Sequence, residues 1–137
     1  MLVISKDKLD ELLNHLKEEY PYEACGILAG GISSDGVKEV GKVYRMTNID
    51  KTAESFLMDP KEQFKVMKDM RESNLEMAGI YHSHPETPAR PSARDVSMAF
   101  YPEVSYVIVS LVDIDKPAAK SFLISKDGIR EEEINVK

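Results

Sequence analysis

The stretch that most constrains this chain runs from Gly79 to Asp95. Gly79-Ile80-Tyr81-His82-Ser83-His84 reads as a strand, Pro85 to Pro91 as a loop carrying three prolines, and Ser92-Ala93-Arg94-Asp95 as the start of a helix. Two of the chain's three histidines therefore stand at the end of one strand, a short rigid loop away from an acid. Alternate residues of a strand share a face, so His82 and His84 project together while Ser83 turns aside.

Two imidazoles on one face can close on one cation, and Asp95 supplies a third ligand. Three protein ligands leave one tetrahedral position for water, the arrangement of a catalytic zinc and not of a structural one. Two nitrogens with one carboxylate suit zinc better than calcium or magnesium. On ligand type alone an iron site of two histidines and one carboxylate also fits. A His-x-His pair also arises without any metal, and Ser92-x-x-Asp95 is equally the pattern of a helix capping box. The structural and the metal-holding readings of Asp95 are compatible, because a carboxylate has two oxygens.

The rest of the chain supplies a frame for this stretch. Leu9, Leu12, Leu13 and Leu16 follow a helical period, which predicts a helix over about Lys6 to Glu19, capped by Ser5 and stopped by Pro21. The N-terminal residues read straight into it, and His15 is expected on its solvated side. A buried strand is expected over Glu23 to Gly31, paired through the turn Ser33–Gly36 with another over Val37 to Met46. Residues Thr47 to Thr52 read as loop and Ser55 to Met58 as a short strand. Asp59-Pro60 starts a second helix that ends at Ser73-Asn74. Further strands are expected at Glu76–Ser83, Val104–Val112, Ala118–Ser125 and Ile129 to about Ile134, with a third helix running from Ser92 to about Phe100. The run Glu131–Glu133 reads as a solvated strand edge. Interleaved helices with short turns between neighbouring strands give a mixed, largely antiparallel α/β sheet flanked by helices.

Composition narrows the function. At 137 residues the chain is expected to form one domain, residues 1–137. The net charge of −6 argues against nucleic acid as the main partner. The most apolar stretches, Ala24–Ala29 and Val107–Val112, fall far short of the ~20 residues of a membrane span. One cysteine permits no internal disulfide, which fits a cytoplasmic setting. That residue, Cys25, lies in an apolar run of small residues and reads as an inert buried thiol, not a nucleophile. It also excludes the paired cysteine ligands of a zinc deaminase.

His82-Ser83-His84-Pro85, the seven residues from Pro85 to Pro91, and Ser92-x-x-Asp95 together resemble the JAMM metallopeptidases of the MPN-domain family. Every defining position is matched, and Pro21-Tyr22-Glu23-Ala24-Cys25-Gly26 resembles the segment that carries the family's upstream glutamate. The resemblance implies a cytidine-deaminase-like α/β fold, with His82, His84 and Asp95 as ligands of one zinc ion per chain. It implies Glu23 as general base acting on the water that zinc activates, and Ser92 as a hydroxyl donor to the water or oxyanion. Glu23 is singled out by the resemblance alone. The expected reaction is hydrolysis of the amide bond after the C-terminal Gly-Gly of a ubiquitin-like or sulfur-carrier protein, with residues 46–55 as an edge for the extended tail. The rival reading is a non-catalytic MPN scaffold, whose members have broken ligand sets; here the set is intact.

Overall fold

A computed structural model describes residues 1–137. In chain order the elements are β1 (Leu2–Ile4), α1 (Lys6–Glu19), β2 (Cys25–Ile32), β3 (Lys38–Met46), α2 (Pro60–Glu72), β4 (Glu76–His84), α3 (Ala93–Ser97), β5 (Ser105–Ser110), β6 (Ala118–Ser125), β7 (Gly128–Glu132) and β8 (Ile134–Val136). The strands form one eight-stranded sheet in the order β7-β6-β5-β4-β2-β3-β1-β8. Pairings along β2, β3 and β4 and along β5, β6 and β7 are antiparallel, whereas β4–β5, β1–β3 and β1–β8 are parallel.

Strand alternation sorts the core into two faces. Leu28, Tyr81, Val107 and Val109 face α1, where Leu12 and Leu16 pack on them. Cys25 and Ile27 face α2 through Met70, and Ile108 belongs to a third cluster against which Tyr101, in the segment between α3 and β5, packs. Both long helices start as expected: Ser5 caps Lys8 N–H, and Asp59 caps Lys61 N–H with Pro60 at the first helical position.

Several expectations need correction. The N-terminus does not run straight into α1: Leu2–Ile4 forms a buried parallel strand between β3 and β8. His15 is buried, 4% exposed, and its Nδ1 lies 2.7 Å from the Tyr81 hydroxyl. It stands three residues after Leu12, on the flank of the apolar stripe, where a polar partner from the sheet satisfies it. Strand β2 continues through Gly30-Gly31 to Ile32. Ser55–Met58 forms no strand, only a single bridge between Asn48 and Met58. Helix α3 stops at Ser97. The expected edge at residues 46–55 is, beyond Met46, a loop bonded to itself and to Glu23. Glu132 is no solvated edge residue: its side chain is 7% exposed and accepts from the hydroxyls of Ser105 and Ser121. No helix is long and apolar enough to cross a membrane.

Candidate active site

Strand β4 brings His82 and His84 to one face, as alternation requires, and buries both. The loop 85–91 then returns the chain so that α3 begins beside them. There Ser92 and Asp95 form a complete capping box: Ser92 Oγ accepts from Asp95 N–H at 3.0 Å, and Asp95 Oδ2 accepts from Ser92 N–H at 2.9 Å. The cap fixes the Asp95 carboxylate, which still faces both histidines. His84 Nε2 lies 3.0 Å from Oδ2, His82 Nε2 lies 3.2 Å from Oδ1, and the two Nε2 atoms are 3.1 Å apart.

These three side chains could hold a metal ion, since their ligand atoms all lie within 4.8 Å of one another. The spacing fits zinc: tetrahedral bonds of about 2.0–2.1 Å set neighbouring ligand atoms ~3.3 Å apart. The tautomers also fit. His84 Nδ1 is 2.9 Å from the Pro88 carbonyl, so it carries the proton and leaves the Nε2 lone pair for a cation. His82 Nδ1 has no protein partner; its ring is held instead by Phe56, centroids 4.6 Å apart.

The charges within the group follow from burial and contact. Burial lowers His82. It would lower His84 as well, but the Asp95 carboxylate and the Pro88 carbonyl outweigh it and raise that ring. Burial alone would raise Asp95, yet the two imidazoles, which donate to it from Nε2 when no cation holds those nitrogens, keep it well below the usual carboxylate range.

Glu23 stands one residue before Ala24 at the entry to β2. Ser83, turned away from the histidines, is buried and accepts from Ala24 N–H at 2.9 Å, while Ser83 N–H donates to the Ala24 carbonyl at 3.0 Å. This double tie sets Glu23 beside the histidine end of β4. Its side chain is 5% exposed, and Oε1 has no hydrogen-bond partner. Burial pushes the carboxyl up to about 8; His84 acts against that shift and Asp95 adds to it. Cys25 is fully buried in β2, and burial raises its thiol to about 12, which leaves no thiolate for nucleophilic chemistry.

Two hollows adjoin these residues. One of about 310 Å³ is mainly apolar and is lined by His82 and Asp95 with Phe56, Ile80, Tyr106 and Ile108 among others. The other, of about 430 Å³, is lined mostly by polar and charged residues, Glu23, His15, Glu18 and Arg45 among them. His82, His84 and Asp95 thus form one group, with Ser92 held to Asp95 by the cap and Glu23 at the neighbouring entry to β2. Ser83, Asn48 and Phe56 escaped sequence reasoning: a serine between two histidines reads as a spacer, and loop residues show no period.

The family model for prokaryotic homologs of the JAB domain matches residues 5–125. The chain belongs to this family. It is 35% identical over 136 residues to the "CysO-cysteine peptidase" of Mycobacterium tuberculosis, spanning 99% of this chain and 91% of that one. It is also 35% identical over 109 residues to the "Probable TtuB-protein conjugate cleaving protease" of Thermus thermophilus, 79% of this chain and 69% of that protein. A solution structure of a Desulfitobacterium hafniense protein superposes with a TM-score of 0.92 at 48% identity, covering 100% of this chain and 93% of the other. The chain therefore has the JAB/MPN fold, built here on a mixed sheet.

Proposed function

We propose that this JAB-family protein, residues 1–137 as one domain, is a zinc-dependent peptidase. Its reaction is hydrolysis of the amide or isopeptide bond after the C-terminal Gly-Gly of a ubiquitin-like or sulfur-carrier protein. The observation that carries the reading is the convergence of His82, His84 and Asp95 on one point beside the unpartnered, buried carboxyl of Glu23. The names of the two relatives support the substrate class, since one is a peptidase for CysO-cysteine and the other a probable protease that cleaves TtuB-protein conjugates.

His82, His84 and Asp95 would hold the metal. Zinc bound there would lower the pKa of a water to about 7 and polarise a carbonyl. Glu23 takes the proton that the water gives up and delivers it to the leaving amine. Burial raises the Glu23 carboxyl and a cation bound beside it would act against that shift, so the group can both take and return a proton near neutrality. Ser92 Oγ accepts from Asp95 N–H, so its own O–H remains free to donate to the developing oxyanion. One such donor is worth about 3 kcal/mol. The apolar hollow offers an extended tail a desolvated path to the metal group.

The test is metal analysis joined to cleavage of a ubiquitin-like-protein fusion. One tightly bound zinc per chain is expected, together with a loss of at least ~100-fold in kcat for Glu23→Gln at unchanged zinc content. Absence of both zinc and cleavage would leave only the scaffold reading, and full activity in Glu23→Gln would remove Glu23 from the role of proton carrier.

A further inference from the structure

Glu23 lies outside β2, yet both of its backbone groups are held by one loop, residues 47–58. Its N–H donates to the Thr52 carbonyl at 2.8 Å, and its carbonyl accepts from Asn48 Nδ2 at 2.9 Å. Asn48 organises that loop as well. Nδ2 also donates to the Ser55 carbonyl at 3.0 Å, and Oδ1 accepts from Asp50 N–H and Leu57 N–H, each at 3.0 Å. Two partners only accept and two only donate, so one orientation of the amide satisfies all four.

The same loop reaches the metal-holding half of the site twice. Phe56 stacks on the His82 ring. Asp50 Oδ2 lies 3.5 Å from Arg94 Nη2 on α3, next to Asp95 in the chain, and also accepts from Ser55 Oγ at 3.0 Å. The loop thus ties residue 23 to β4 at Phe56 and to α3 at Asp50.

We propose that Asn48 and the Asp50–Arg94 pair are positioning residues that hold Glu23 at a fixed distance and angle from the His82, His84 and Asp95 group. The proposal rests on the reading of Glu23 as proton carrier. The physical demand is plain: a shift of about 1 Å in a reacting group can cost ~10²-fold in rate. The Ser83 tie ends at Ala24, so only this loop holds the backbone of residue 23 itself.

Asn48→Asp is the sharpest variant, because it keeps both accepted bonds and replaces the donation to Glu23 and Ser55 by a carboxylate oxygen facing their carbonyls. It is expected to lower kcat between about 10- and 100-fold, with KM, zinc content and Tm nearly unchanged. Arg94→Gln, a change at a half-exposed side chain, is expected to lower kcat by about tenfold, and the exchange of Asp50→Arg with Arg94→Asp to recover most of it. In the metal-free protein, hydrogen exchange at the Glu23 amide should speed up in Asn48→Asp and Arg94→Gln. Unchanged kcat with an unchanged Glu23 amide would overturn the proposal. So would a kcat loss matched by equal losses of zinc or Tm, or a charge exchange that rescues nothing. If the unaltered protein cleaves nothing, the reading of Glu23 fails, while the exchange measurement still decides whether the loop holds residue 23.

Discussion

A buried carboxyl without a partner is costly once it ionises, and Glu23 is such a group. Its folded value is about 8 against a reference of 4.5, so between those limits the folded state binds more protons than the unfolded one. Stability contributed by the neutral form is therefore lost as pH rises through that window. Glu23→Gln has no such ionisation. Thermal melts of the metal-free protein should show the variant gaining on the unaltered chain from pH 5 to pH 8; parallel curves would contradict the burial argument. Residue identity alone did not expose this group, since the chain has 24 acids and only the family resemblance picked one. His82, His84 and Asp95 were legible because strand alternation and helix capping are local rules. His15 was not, because its partner Tyr81 lies 66 residues away.

Elements with local signals were readable at nearly their true bounds. Capping residues gave α1 and α2, loose alternation gave β3, and a strongly apolar run gave β5. Strand β1 has three residues and is recognisable only from what it pairs with. Glycines in β2 show how pairing overrides the local reading. Gly30-Gly31 looks like a strand end, but β2 continues through a register shift there, against β3. A Cβ on Gly30 would stand 1.8 Å from the Glu39 carbonyl oxygen, a backbone atom of the paired strand, whereas one on Gly31 would meet nothing within 4 Å. Gly30→Ala must push β3 away and is expected to cost about 3 kcal/mol or more. Gly31→Ala, at a backbone angle open to any residue, should be neutral or stabilise by up to ~1 kcal/mol. Urea unfolding of the two variants checks the contrast. Equal effects would mean that β2 and β3 do not approach as closely as described.

At the scale of the molecule the sheet is nearly closed on itself. Strand β7 is one edge and β8 the other, yet only Glu133 separates them in the chain. A single C-terminal segment therefore fastens both edges, and the sheet must curl until they meet. Glu133 accepts from Leu2 N–H at 2.9 Å, and Lys137 N–H donates to the Ile4 carbonyl at 3.0 Å, which binds the segment to β1. Glu132 sits at the junction. Its carboxylate faces Ser105 of β5, Ser121 of β6 and, at 3.8 Å, Lys38 of β3, whose side chain is 6% exposed. No local pattern in Glu131–Glu133 could reveal this, because Ser105 and Lys38 come from strands that do not neighbour β7 in the chain. Removing Glu132 leaves the Lys38 ammonium buried without its counter-charge, and breaking such a pair costs about 3–5 kcal/mol. Glu132→Ala is therefore expected to lose that much in urea unfolding. Glu131→Ala, one position away on an exposed side chain, should stay within about 0.5 kcal/mol. The hydroxyls of Ser105 and Ser121 hold the Glu132 carboxyl below its ordinary range against the effect of burial. A group lowered in the folded state stabilises above its unfolded value and loses that contribution as pH falls. The gap between the two variants should accordingly narrow on acidification from neutrality. A gap that is absent at neutral pH, or that stays constant as the carboxyl is protonated, would show that the junction at Glu132 does not fasten the sheet.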